Sequence, residues 1–142
     1  MSRPDPYRVY RFIVEIEGLA AGGFQSVSGL ERQTQIEPYR EGGVNDFEHQ
    51  FVVKTTYPAL TLMRGLVDPW LWTWHQDVID GNVQRRTVSV LLLNVAGDEV
   101  WRWVYTGAYP AKWSGAELDG LSSAVATESV ELVHHGLTRS PR

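Results

Sequence analysis

The 142-residue chain contains no cysteine. This excludes disulfides, thiol catalysis and cysteine-ligated zinc, and it fits a reducing compartment. A basic excess is missing too: 13 Lys and Arg stand against 17 Asp and Glu, for a formal charge of −4 and a pI near 5.5. A nucleic-acid groove needs clustered cations, so no specific nucleic-acid binding is expected. No apolar run approaches the length of a membrane span. The opening residues, Met1-Ser2-Arg3-Pro4-Asp5-Pro6, lack an apolar core and do not read as a signal peptide, which points to a chain made and kept in the cytoplasm or exported by a route other than a signal peptide. There is no glycine-rich phosphate loop and no His-Glu-x-x-His pair. His134 and His135 are neighbours in an expected strand and so point to opposite faces, whereas a metal needs converging ligands. His75 beside Asp77 reads as a surface or packing residue, and Glu128 and Glu131 as part of a solvated face. The expectation is no catalytic, cofactor or metal site, and no enzyme.

Aromatic residues, in contrast, are plentiful: six Trp and six Tyr must carry much of the packing or of an interface. The length suits a single domain over residues 1–142. Thr87 to His135 gives its frame. Thr87–Leu93 and Val100–Tyr105 read as strands across the turn Asn94–Asp98, and Ala126–His134 as a third. Trp101, Trp103 and Tyr105 share one face of the second strand. Between the second and third lie a rigid corner, Ala108–Trp113, and a polar connection, Ser114–Ser123. The three runs predict an antiparallel meander onto which the remainder packs.

Upstream, residues 1–7 form an extended arm, since Pro4 and Pro6 resist helix. Tyr10, Phe12, Val14 and Ile16 alternate with charged or outward positions, as in a half-buried strand. Gly18 marks the turn after it. Phe24–Leu30 reads as a strand with Gly29 at a bulge or a close backbone approach. Residues 38–47, containing Glu41-Gly42-Gly43, project as a loop. Phe51–Lys54 pairs with residues 30–37 in a long hairpin with too little apolar area to stand alone in water. Asp68-Pro69 starts the one helix, with Asp as the cap and Pro at the first helical position, and Gly81 ends it. Trp70, Trp74 and Val78 define one row of that helix; Leu71, His75 and Ile79 define another. The result is a mainly β domain with one lateral α-helix.

Several segments carry a resemblance. They are Phe24-Gln25-Ser26-Val27-Ser28-Gly29-Leu30, Tyr39-Arg40-Glu41-Gly42-Gly43, Leu60-Thr61-Leu62-Met63-Arg64-Gly65-Leu66, Trp74–Gly81, Gln84-Arg85-Arg86, Tyr109–Gly115 and Glu128–Leu137. In this order and spacing, from about Tyr7 to Arg139, the chain resembles the tail tube proteins of contractile phages and phage-tail-like injection systems. The resemblance implies an antiparallel β-sandwich or barrel-like subunit. Hexameric rings of it would stack into a hollow tube, with extended hairpins joining into a ring-wide barrel. It implies as partners a sheath protein, baseplate or hub proteins, a tube initiator, and a tape-measure protein or cargo in the lumen. The acidic balance of the chain fits a lumen that repels acidic cargo. The Gly42-Gly43 loop matches the projecting loop that meets the adjacent ring. The candidate contact residues are Tyr39, Arg40, Glu41, Gly42, Gly43, Val44, Asn45, Phe51 and His135. His135 and the apolar run Phe51–Val53 depart from the usual family pattern, which leaves a tube-initiator paralogue as an alternative to the main tube subunit. A Trp-rich carbohydrate-binding β module is the alternative from another class.

Overall fold

The computed structural model describes residues 11–21, 23–39, 49–121 and 125–139. The first strand, β1 (Arg11–Ile16), turns tightly into β2 (Leu19–Ala20). Glu17 and Gly18 both have positive φ, 58° and 78°, as the two-residue hairpin turns of the primed class require. Then come β3 (Phe24–Ser28), β4 (Gln33–Tyr39), β5 (His49–Thr56) and β6 (Leu60–Gly65). Helix α1 (Trp70–Ile79) leads to β7 (Arg86–Leu93), β8 (Glu99–Gly115), β9 (Thr127–Val133) and β10 (Gly136–Arg139).

Eight strands make one antiparallel sheet in the order β2-β1-β7-β8-β9-β6-β3, with β10 also on β8. The expected meander β7-β8-β9 is its centre. The corner, however, does not divide two strands. Strand β8 is continuous over 17 residues and bends within itself. Its early residues pair with β7 and β10, and Tyr109–Gly115 pair with β9. Gly107, with φ of 64°, stands at the bend, where a Cβ would lie 2.6 Å from the His135 ring. The opposite edge breaks at the same level, between β9 and β10. The third strand therefore ends at Val133, and neither His134 nor His135 belongs to a strand.

Bending one sheet across β8 lets its halves share a core. Val14, Ile16, Val88, Val90 and Tyr105 come from one half, and Leu60, Leu62, Val130 and Leu132 from the other. All arise from two-residue alternation. The burial of β6 and β9 alternates without exception, so each gives one complete face to the core. Helix α1 covers the side along β8. Its buried residues are Leu71 and Trp74, one from each expected row, and Trp70 and Trp72 remain 39% and 50% exposed. The Trp74 indole N–H donates to the Gln84 carbonyl at 2.9 Å, which fixes the helix against the chain that leaves it.

The helix starts one residue later than expected. Pro69 occupies the cap position, and Asp68 reaches past it to accept the Trp70 N–H at 2.8 Å. At the other end Gly81, with φ of 87°, donates to Val78 O, and Asn82 donates to Asp77 O. This is the left-handed glycine stop read from the sequence.

Glu128 corrects the solvated-face reading. It is 1% exposed and lies on the core side of β9. Its carboxylate accepts from Arg64 Nε at 2.9 Å and from Trp113 Nε1 at 2.8 Å. A carboxylate is tolerated there because both oxygens have charged or polar donors. Glu131 fits the exposed reading, 3.7 Å from Lys112.

Candidate assembly interface

Strands β4 and β5 form a two-stranded sheet of their own, apart from the eight-stranded one. The expected hairpin is therefore present, with pairs running from Gln33↔Thr56 to Tyr39↔His49. It prolongs the β3–β6 pair. Ser28↔Thr61 is the last pair before a gap and Gln33↔Thr56 the first after it. The steps along the two strands are equal, so the ribbon resumes in register.

The gap is where the ribbon is fastened to the body. Gly29 has φ of 94°, and a Cβ on it would sit 2.2 Å from the Ala59 carbonyl oxygen. Of the two readings of Gly29, the close backbone approach is the one found. The buried Tyr105 hydroxyl donates to Gly29 O at 3.1 Å. Burial pushes the Tyr105 hydroxyl pKa up, which keeps it a donor. On the facing strand His134 Nε2 donates to Pro58 O at 3.2 Å, and its ring packs edge-on against Tyr57 and Tyr105. Burial holds the pKa of His134 below the usual imidazole value.

Beyond this anchor, among the described residues, no strand of the eight-stranded sheet pairs with the ribbon. Among the described residues neither β4 nor β5 has a second strand partner, so each leaves one edge of backbone N–H and C=O groups open. Ile36 and Val52 face each other across the pair and are 52% and 75% exposed. Val53 occupies the register shift beside them and is also exposed. Apolar side chains and open edges on one ribbon are features to which a strand of another polypeptide can add.

At the far end of the eight-stranded sheet, where β6 runs into α1, Arg64 gathers the chain. It donates to Glu128 and to Asp68, and its guanidinium lies 5.5 Å from the centre of the Phe24 ring. The pKa of Asp68 is lowered, chiefly by the Trp70 N–H, which outweighs the opposing desolvation, and to a lesser degree by the Arg64 charge and hydrogen bond. Over this cluster lies an open hollow of about 390 Å³ rimmed by Leu66, Val67, Trp72 and Trp113. Among the described residues no group of three or more His, Asp or Glu is placed to hold a metal ion.

The nine sequence-predicted contact residues are distributed as follows. Tyr39 ends β4, paired with His49. Phe51 lies within β5 opposite Glu37 and is 51% exposed. Arg40, Glu41, Gly42, Gly43, Val44 and Asn45 lie outside the described residues, as does the arm at residues 1–7. His135 is held at the corner of the body, where Arg85 approaches its Nε2 at 2.9 Å and its backbone N–H donates to Thr106 O. Sequence reasoning singled out the apolar run Phe51–Val53, which includes Val52, but not Ile36. The signal for Ile36 was available in the polar context of β4, where an isolated β-branched residue has no core to enter.

Residues 8–138 match the family described as T4-like virus tail tube protein gp19. The chain belongs to this family. As a tail tube protein it is a structural subunit of a contractile injection system, and mainly β architecture with one helix is its fold. Solved structures agree. A chain in the cryo-EM structure of the anti-feeding prophage baseplate, 6-fold symmetrised, is 26% identical, with a TM-score of 0.82 over 99% of this chain and 97% of that one. One in the sheath-tube complex of the extracellular contractile injection system PVC, in its extended state, is 25% identical, with a TM-score of 0.82 over 95% and 91%. One in the anti-feeding prophage tube terminating cap is 23% identical, with a TM-score of 0.89 over 100% and 95%, a likeness of fold. No curated protein matched this tail tube protein.

Proposed function

We propose that this tail tube protein builds the hollow inner tube as stacked hexameric rings, driven through a target envelope by contraction of a surrounding sheath, with cargo carried in the lumen. The observation that carries this reading is the β4–β5 ribbon, which continues a core hairpin in register yet has open edges and exposed Ile36 and Val52. Neighbouring copies supply the missing strand partners. A head-to-tail contact that closes by rotation makes a ring, and an axial repeat of rings makes a tube. Six-fold symmetry in the related baseplate structure supports the hexamer.

Residues 38–47, with Arg40 and Glu41 as candidates for ion pairs, reach the adjacent ring in this reading. Phe51 and Tyr39 belong to the same contact, and His135 to a contact at the body. The role is structural and non-enzymatic. The subunit is made in the cytoplasm and enters the particle with baseplate, initiator and sheath proteins. Among the described residues no helix is long and apolar enough to cross a membrane.

The deciding experiment is size-exclusion chromatography with negative-stain microscopy of the purified protein, alone and with its baseplate partners. Rings or tubes of uniform width are expected. A protein that stays monomeric at every concentration, with and without those partners, overturns the proposal. Deletion of Glu41–Val44 is expected to leave rings but stop their stacking.

A further inference from the structure

The β4–β5 ribbon has two faces of different chemistry. Residues directly opposite in an antiparallel pair point to the same side, and successive residues along a strand alternate. The register puts Gln33 with Thr56, Gln35 with Lys54, and Glu37 with Phe51 on one face. Thr34 with Thr55, and Ile36 with Val52, stand on the other. Val53 is the extra residue at the register shift, which is why Val52 rather than Val53 stands opposite Ile36. The Thr34 and Thr55 hydroxyls lie 3.1 Å apart across the strands, which fixes the second face directly. Each of these residues is exposed in the single copy.

The two faces differ in what it costs to cover them. Glu37 and Lys54 carry the formal charges among the described side chains of β4 and β5, and both stand on the first face. The Gln33 and Gln35 amides join them there. None of these four side chains has a hydrogen-bond or ion-pair partner among the described residues. Burying this face would strand two charges and two amides. The other face holds no charge. Its two hydroxyls bond each other, and Ile36 and Val52, 52% and 75% exposed, gain by leaving water. Phe51 is the one large apolar side chain described on the charged face, and it lies toward the tip, where the contact with the adjacent ring is proposed.

We infer that the face bearing Gln33, Gln35, Glu37 and Lys54 lines the lumen of the tube, and that the face bearing Thr34, Ile36, Val52 and Thr55 turns outward and is covered by the bodies of neighbouring copies. Edge-to-edge pairing of ribbons leaves both faces open, and closing the ring turns one inward and the other outward. The inference rests on the proposed assembly and adds which side chains meet the cargo. Over the described length this wall consists of amides, a hydroxyl, one acid and one base, apart from Phe51 near the tip, so its formal charges cancel. The acidic balance of the whole chain is not expressed on it, and it suits a hydrated, polar cargo of either sign.

The absence of native cysteine permits a direct test. Four single variants are made: Gln35→Cys and Lys54→Cys on one face, Thr34→Cys and Thr55→Cys on the other. In the unassembled subunit all four should react with a small maleimide, because all four positions are exposed. The same reaction is then run on tubes verified by negative stain. Gln35→Cys and Lys54→Cys are expected to keep reacting with the small maleimide and to lose reaction with a polyethylene-glycol maleimide too wide to enter the lumen. Thr34→Cys and Thr55→Cys are expected to lose reaction with both reagents. Two positions on each face keep the comparison intact where one variant blocks assembly. The reverse pattern, equal behaviour of the two faces, or reaction of Gln35→Cys and Lys54→Cys with the wide reagent overturns the inference, while the tubes themselves uphold the assembly. If wild-type protein forms no tubes, alone or with its baseplate partners, the assembly reading falls and takes this one with it.

Discussion

Arg64 and Glu128 are separated by 64 residues in sequence, yet Nε and Oε2 stand 2.9 Å apart with both side chains at most 5% exposed. The pair ties β6 to β9. Trp113 on β8 and Asp68 before α1 extend it to two further elements. Four segments thus meet in one polar cluster, buried at Arg64 and Glu128 and half-exposed at Asp68, at the end of the sheet remote from the ribbon.

Breaking that pair on one side leaves the buried Arg64 guanidinium with only the half-exposed Asp68 as a counter-charge. Glu128→Gln is expected to destabilise the subunit by about 3 kcal/mol, the lower end for a broken buried pair. Chemical denaturation should show a lower midpoint with an unchanged slope. Arg64→Met combined with Glu128→Leu should recover much of the loss, because an apolar replacement strands neither charge.

Acid should act on the body in two stages. Burial lowers the pKa of His134, so folding favours the neutral ring. Its contribution is complete above the ordinary imidazole pKa of 6.5 and is lost as pH falls through the lowered folded value. The His134→Gln variant should flatten this part of the stability–pH curve. An imidazole NMR titration that gives His134 a normal or raised value would contradict it.

The second stage belongs to Asp68. Its depressed pKa means that the helix start is fully fastened above 3.8 and released as pH falls through the folded value. Asp68→Asn should remove this acid-dependent step and leave the His134 step in place. Circular dichroism on acid titration of the two variants separates them.

Two glycines with the same sign of φ should respond differently to alanine. At Gly97, φ is 86° and nothing lies within 4 Å of the new Cβ, so Gly97→Ala should cost roughly 1–2 kcal/mol of backbone strain. At Gly29 the Cβ would also meet the Ala59 carbonyl oxygen at 2.2 Å. Gly29→Ala should cost clearly more, and the thermal midpoints of the two variants provide the comparison.

Val52→Lys tests the ribbon without disturbing the core. Val52 is 75% exposed, so the isolated subunit should keep its stability within roughly 0.5 kcal/mol. Assembly should fail, because the lysine charge would have to be desolvated between copies. Unaltered rings from this variant, seen by negative stain, would exclude Val52 from the contact.

Much of the fold was legible because its signals are local. Val14 and Ile16, or Val130 and Leu132, show a period of two within a few residues. Asp68, Pro69 and Gly81 bracket the helix by backbone chemistry alone. Strand β6 was harder to read: Leu60, Leu62 and Arg64 alternate, but the last of them is a cation, and a buried cation looks exposed until its partner is known. Alternation already put Glu128 on the face of Val130 and Leu132, and only the missing partner made it look solvated. Strand β10 is four residues long, too short for periodicity, and exists because β8 offers it an edge.

By itself the sequence determined the succession of half-buried strands, the single capped helix, and a polar ribbon unable to make a core. These follow from side-chain alternation, from proline and glycine geometry, and from apolar content, all of which act over a few neighbours. Tertiary structure alone decided that β8 runs unbroken through the corner, that Arg64 meets Glu128, and that the ribbon continues β3 and β6 in register. Each of these depends on which distant segment supplies a hydrogen bond or an opposite charge. Only the closed fold brings those segments together.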